Sequence, residues 1–174
     1  MIKTRFAASP TGFLHIGGLR TALFSYLFAK KNRGQFILRI EDTDRERFVE
    51  GGTENILRAL YWAKIIPDEG VTLDKKGKLS SKGRGGPYIQ SQRLPIYKKY
   101  IEELLNANQA YYCFCAKERL EELRRTQETN KLAPGYDGRC RNLPKAEVEQ
   151  NLKADKTAVV RMKVPKDKTV NFTD

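Results

Sequence analysis

Residues 5–20 read R-F-A-A-S-P-T-G-F-L-H-I-G-G-L-R, from Arg5 to Arg20. The stretch opens as a short apolar strand, passes through a Pro/Gly turn and enters an amphipathic helix at His15-Ile16-Gly17-Gly18. A strand feeding through a glycine-bearing turn into a helix N-terminus is a place to bind phosphate. Free backbone N–H groups and the helix dipole point at the anion there. His15 adds a side-chain donor at the mouth, and Gly17 and Gly18 leave no Cβ in the way of a close approach. On His-x-Gly alone, a histidine at an ordinary strand-to-helix turn fits as well.

On either side of this stretch the pattern continues. Residues 2–7 form a buried strand, and Ile16, Leu19, Leu23, Tyr26 and Leu27 recur at helical spacing, predicting a helix from His15 to Lys30. Asn32-Arg33-Gly34 ends it, and Q-F-I-L-R-I at 35–40 is a second strand. A helix between two such strands is a βαβ unit. It implies a parallel, doubly wound sheet with ligand outside the strands' C-terminal ends. The Ser9–His15 turn and Glu41-Asp42-Thr43-Asp44 both fall at that edge. A helix is expected over 53–63 with Thr53 as N-cap, a loop over 67–87, and a helix from Leu94 to Asn108 with Tyr97, Ile101, Leu104 and Leu105 on one face. Beyond, 111–115 is aromatic and cysteine-bearing, 116–129 a charged helix and 131–142 irregular. At 158–164 a half-exposed strand carries Val160, Met162 and Val164 on one face. The change of character sets a boundary at 105–110, hence domains at 1–107 and 108–174.

Lys and Arg number 33 against 21 acids, a net charge of +12 with pI ≈ 9.7. That excess points to a polyanionic partner, RNA or a nucleotide being the simplest, with an inert basic surface as the alternative. No apolar run approaches the ~20 residues of a membrane span, and no signal-peptide pattern opens the chain. Three cysteines without an export signal suit a reducing compartment, so a cytoplasmic location is expected.

Three strings carry a resemblance. S-P-T-G-F-L-H-I-G-G-x-R at 9–20, F-I-L-R-I-E-D-T-D-x-x-R at 36–47 and G-P-Y-x-Q-S-x-R at 86–93 resemble, in order and spacing, class I aminoacyl-tRNA synthetases of the glutamyl/glutaminyl branch. The chain looks like the N-terminal third of a bacterial-type glutamyl-tRNA synthetase. That resemblance implies the first half of a doubly wound parallel, Rossmann-like nucleotide-binding sheet, with an inserted α+β zinc-bearing subdomain. The implied reaction activates glutamate with ATP and Mg2+ and passes the glutamyl group to tRNA(Glu), with no membrane partner and a monomeric full-length parent.

Carried over position by position, His15 is the catalytic hydrogen-bond donor, and Thr11, Gly12, His15, Gly17 and Gly18 bind ATP. Arg5, Ala7, Ser9 and Glu41 bind glutamate. The chemistry agrees: a planar guanidinium takes a carboxylate bidentately, and Glu41 suits the α-ammonium. A solvated strand-edge Arg and an N-capping Glu are the alternatives. Asp42, Asp44 and Arg45 could hold magnesium, but a charged turn capping the next helix is expected instead. Tyr88, Gln90, Ser91 and Arg93 are assigned to structure and contact with the tRNA end.

Cys113-x-Cys115, then 24 residues, then Cys140 resembles the zinc site in the insertion of many such synthetases. Structural zinc takes four ligands. Some relatives place a His two positions after the last Cys, where Asn142 stands here, and His15 is the only histidine. Tyr136 is taken as the fourth ligand by resemblance to a Cys-x-Cys…Tyr-x-x-x-Cys variant, followed by water or a residue beyond 174. Three unpaired buried thiols are the alternative.

Ala8 stands where many relatives have Pro. Lys78-Leu79-Ser80-Ser81-Lys82 looks like the family's second signature but precedes the Q-S-x-R block, and is read as coincidence. A fragment is expected to be a weak or inactive catalyst with an exposed sheet edge. Competing functions are a paralogue that glutamylates a queuosine base in tRNA(Asp), a non-catalytic zinc-bearing RNA-binding module and a small-substrate nucleotidyltransferase.

Overall fold

In the computed structural model, which describes residues 1–165, 168–169 and 171–173, strand β1 (Lys3–Ala8) alternates as expected. Phe6 and Ala8 are buried; Arg5 and Ala7 point to the other face. Helix α1 (Ile16–Lys31) returns the chain to β2 (Gln35–Ile40), which pairs parallel with β1 from Lys3↔Gln35 to Ala8↔Ile40. Phe36, Leu38 and Ile40 are fully buried beneath the helices, and burial of each stabilises by roughly 1.5–3 kcal/mol.

The face of α1 that packs on the sheet differs from the expected one. Ala22 and Ala29 are fully buried, and Leu19 and Tyr26 pack beside them. Ile16 (80% exposed), Leu23 and Leu27 stay outside. Alanines let the helix sit close to the strands, and the Tyr26 ring then meets Phe36 edge-on at 5.7 Å. Asn32 caps the C-terminus through its side chain on Phe28 O (2.8 Å). Arg33, at φ 52, rather than Gly34, takes the left-handed turn. Gly34 is needed for a different reason: a Cβ there would lie 2.3 Å from Ile2 O.

Helix α2 (Gly52–Trp62) buries Ile56, Leu57 and Leu60 on the same core. Its N-cap is Gly51 in the left-handed region with no side-chain cap bond, and Thr53 lies buried inside the first turn. The expected Thr53 cap is therefore corrected. The expected loop at 67–87 is corrected too. It holds β3 (Glu69–Leu73), parallel to β2, and β4 (Leu79–Lys82), antiparallel to β3, giving the sheet order β1-β2-β3-β4. Gly70 and the Asp and Lys residues that flank it disguised β3. Gly70 is required because its φ is +123 and a Cβ would fall 2.1 Å from Leu38 O.

The chain divides into two compact units, Met1–Ile96 and Tyr97–Asp174. Helix α3 (Leu94–Asn106) thus falls almost wholly in the second unit, whereas the expected boundary keeps it in the first. The second unit continues with β5 (Ala110–Cys113), α4 (Lys117–Thr129), α5 (Lys145–Lys153) and β6 (Val159–Met162). Strands β5 and β6 pair antiparallel with Tyr111↔Arg161 and Cys113↔Val159. The strand expected at 158–164 is only Val159–Met162; Met162 on its apolar face and Val164 beyond it are both more than 60% exposed. Arg161, on the opposite face, is half-buried. Val170 and Asp174 lie outside the described residues, and 171–173 are not in a strand.

Candidate functional site

The C-terminal end of β1 and the turn into α1 enclose a cavity of about 280 Å3. Ala7, Ser9, Thr11, Gly12, His15 and Gly18 all line it, so most of the residues expected to bind nucleotide and amino acid converge there. The turn is held from behind: Val49 N–H donates to Pro10 O (2.9 Å) and Leu14 N–H to Asn55 Oδ1 (3.0 Å) on α2.

His15 is the N-cap of α1. Its Nδ1 accepts the Gly17 N–H at 3.1 Å, which leaves the proton of a neutral ring on Nε2 as a free donor. Gly17 itself does not line the cavity, and its N–H is already committed to His15. Both glycines answer to the chain's own side chains: a Cβ would lie 2.9 Å from His15 Cε1 at Gly17 and 2.8 Å from Leu14 Cδ1 at Gly18. Around Gly12, by contrast, there is open space.

Arg5 and Glu41 lie outside that cavity lining. Arg5 is exposed on β1 beside Ile37 and has no hydrogen bond or ion pair among the described residues. Glu41 N–H donates to Ala8 O (2.7 Å), setting its backbone beside the end of β1. One oxygen of its carboxylate takes Arg39 Nη2 at 2.5 Å. Arg39 is the register neighbour of Ala7, so Arg5, Ala7 and Arg39 share the sheet face away from the helices.

The E-D-T-D segment does not cap α2, which corrects that expectation. Asp42 instead accepts from Ser91 N (2.8 Å) and Ser91 Oγ (2.6 Å), and Thr43 Oγ1 donates to Gln90 Oε1. Asp44 is tied up by Arg47. Ile40 N–H donates to Tyr88 O at 2.9 Å, so the second and third motifs form one structure. Sequence reasoning missed Glu69. Its carboxylate receives Tyr88 Oη (2.6 Å) and Gly85 N–H (3.0 Å) and faces Lys3 at 3.6 Å. The Tyr88 hydroxyl above all, against the opposing effect of burial, holds its carboxyl below the usual glutamate value.

In the second unit Cys113, Cys115 and Cys140 bring their sulfurs within 4.8 Å of one another. Tyr136 Oη completes the group: it accepts the Cys113 S–H (3.3 Å) and Cys140 N–H (3.0 Å) and lies 3.4 Å from Cys115 Sγ. Cys115 and Cys140 are 3.6 Å apart. A tetrahedral zinc with Zn–S near 2.3 Å and Zn–O near 2.0 Å separates its donors by about 3.5–3.8 Å, so this donor set fits. Burial raises the Cys113 thiol, but its interactions with Tyr136, Arg161 and Cys115 outweigh it and bring it down to about 7. Burial, then the neighbouring thiols, push the Tyr136 phenol up. Among the described residues the unit buries only Ala110, Cys113, Cys140 and Asn151, no apolar core of its own, which is the situation in which a small fold relies on a metal.

The family of class I tRNA synthetases (E and Q), catalytic domain, matches residues 1–174. The chain belongs to this family. It is 56% identical over 173 residues to the Glutamate--tRNA ligase of Clostridioides difficile (strain 630), covering 99% of the chain and 35% of that protein. It is 51% identical over 175 residues to that of Finegoldia magna, with 99% and 36% covered. The solved glutamate tRNA ligase of Elizabethkingia meningosepticum CCUG26117, in complex with its amino acid, superposes with TM-score 0.83 at 43% identity, over 99% of the chain and 34% of that structure. The chain thus spans about a third of the length of the relatives it matches. Its parallel strands with covering helices are those of the Rossmann-like class I synthetase fold. No helix among the described residues is long and apolar enough to cross a membrane.

Proposed function

We propose that this chain is the substrate-binding portion of a glutamate–tRNA ligase, which activates glutamate with ATP and transfers it to the 3′ end of tRNA(Glu) in the cytoplasm. The observation that carries the reading is the convergence of Ala7, Ser9, Thr11, Gly12, His15 and Gly18 on one cavity at the C-terminal end of β1. The chemistry asks for position and charge rather than a protein nucleophile. The glutamate α-carboxylate attacks the α-phosphorus, the bond to the bridging oxygen breaks, and pyrophosphate leaves with the electron pair. Mg2+, when bound, neutralises charge on the phosphates.

His15, with Nδ1 held by the Gly17 N–H, offers Nε2–H to a phosphate oxygen as charge builds. Thr11 and Gly12 line the space the nucleotide needs. Arg5 takes the side-chain carboxylate of glutamate, Ala7 leaves room and Ser9 adds a hydrogen bond. Glu41 takes the α-ammonium on the oxygen that Arg39 leaves free. Cys113, Cys115, Tyr136 and Cys140 hold a structural Zn2+. Residues 1–107 form the first part of the catalytic domain; 108–174 open an insertion that meets the tRNA acceptor end, where the excess of cations serves RNA. The names of the relatives favour this ligase over the queuosine-directed paralogue.

ATP–pyrophosphate exchange on the full-length protein tests the reading. Exchange should require glutamate and tRNA(Glu), and Arg5→Ala should raise the glutamate KM by about two orders of magnitude, for loss of a charge-assisted bidentate contact. Well-folded protein without exchange would overturn the assignment.

A further inference from the structure

Beyond the four donors, one cationic side chain stands directly against them. Arg161 enters from β6, opposite Tyr111 and on the same face as Cys113. Its guanidinium lies 4.1 Å from the centroid of the Tyr136 ring, a cation–π stack, and its charge acts on the Cys113 thiol. Among the described residues it makes no ion pair with a carboxylate, and its Nε is buried without a hydrogen-bond partner. Arg119 also reaches the cluster, with Nη1 3.5 Å from Cys115 Sγ, but its charge is answered by Asp137. Arg161 is thus a cation, stacked on Tyr136, whose charge no carboxylate among the described residues answers.

Three thiolates around a divalent ion carry an excess negative charge, and a fourth anionic donor would add to it. In a half-buried site that charge needs an answer. We infer that Arg161 is the positioning residue of the metal site: stacked on Tyr136 and on the same sheet face as Cys113, it offsets the thiolate charge and holds the Tyr136 ring so that Oη completes the donor set. The inference rests on the zinc reading above. It assigns a role to a strand residue 21 positions beyond Cys140, which no ligand spacing points to.

Zinc affinity by chelator competition, and the spectrum of the Co2+-substituted protein, test it on the complete protein. Both are read in the parent, Arg161→Met and Arg161→Lys, with circular dichroism confirming that each is folded. Arg161→Met should weaken zinc binding 10–100-fold, as loss of such partners typically does, and alter the thiolate-to-cobalt bands. Arg161→Lys, which keeps the charge, should recover part of the affinity. Parent-like affinity and spectrum in Arg161→Met would overturn the role. So would equal losses in both variants, since charge would then not be the operative property. A parent that binds no zinc would fail differently, removing the metal site itself and the role of Arg161 with it.

Discussion

Glu69 shows how much one side chain can decide. It is a carboxylate on a short strand, buried against Tyr88, and the hydroxyl of that tyrosine, then Gly85 N–H and Lys3, keep it ionised more readily than in an unfolded chain despite burial. A group whose folded value is depressed contributes fully above its unfolded value and loses that contribution as pH falls through the folded one. Stability should therefore fall with acidification from the ordinary glutamate value of 4.5 downward. Glu69→Gln should flatten this part of the profile. Asp68 shifts the same way: burial raises it, but Lys30 and the Phe36 N–H outweigh that, so its own share persists in the variant. Thermal melts from about pH 6 to about pH 3 measure the difference; identical profiles would remove Glu69 from the account. Nothing in D-E-G-V-T marks this carboxylate as buried, because burial here depends on a tyrosine 19 residues on.

Among the elements, the βαβ unit was legible because β1, α1 and β2 each carry a strong period and their own punctuation. Strands β3 and β4 were not. Their apolar signal is short and their lysines and glycines read as loop, yet pairing with β2 fixes Gly70 at a φ that few residues accept. The link between E-D-T-D and Q-S-x-R was hidden as well, since a carboxylate after a strand reads as a helix cap until its partner is seen. Two hydrogen bonds from Ser91 to the Asp42 carboxylate, each worth about 1.5–3 kcal/mol when a charged group takes part, should make Asp42→Ala clearly destabilising. We expect about 2–4 kcal/mol in urea unfolding, the bonds being not fully additive. A change within 0.5 kcal/mol, the range of ordinary surface substitutions, would mean that water takes the place of the Asp42 carboxylate on Ser91 without cost.

The two units differ in what holds them. The first has a continuous apolar core of strands and helices; the second has its thiols where a core would be. Removing zinc with a chelator should accordingly loosen the second unit while sparing the first. Limited proteolysis should then cut within 97–174 well before 1–96, and added zinc should restore protection. Equal susceptibility with and without chelator would show that the metal does not support the fold.

By itself the sequence determined the strand–turn–helix corner, the family motifs and the spacing of the three cysteines, because each is written locally, in spacing and residue type, while Tyr136 was picked out by resemblance alone. Only the tertiary structure decided which face of α1 is buried, that β3 and β4 exist, that Asp42 answers Ser91, and that Arg161 stands over Tyr136. Those depend on which distant residues come within a few ångströms of one another, and backbone pairing and burial settle that only once the whole chain has folded.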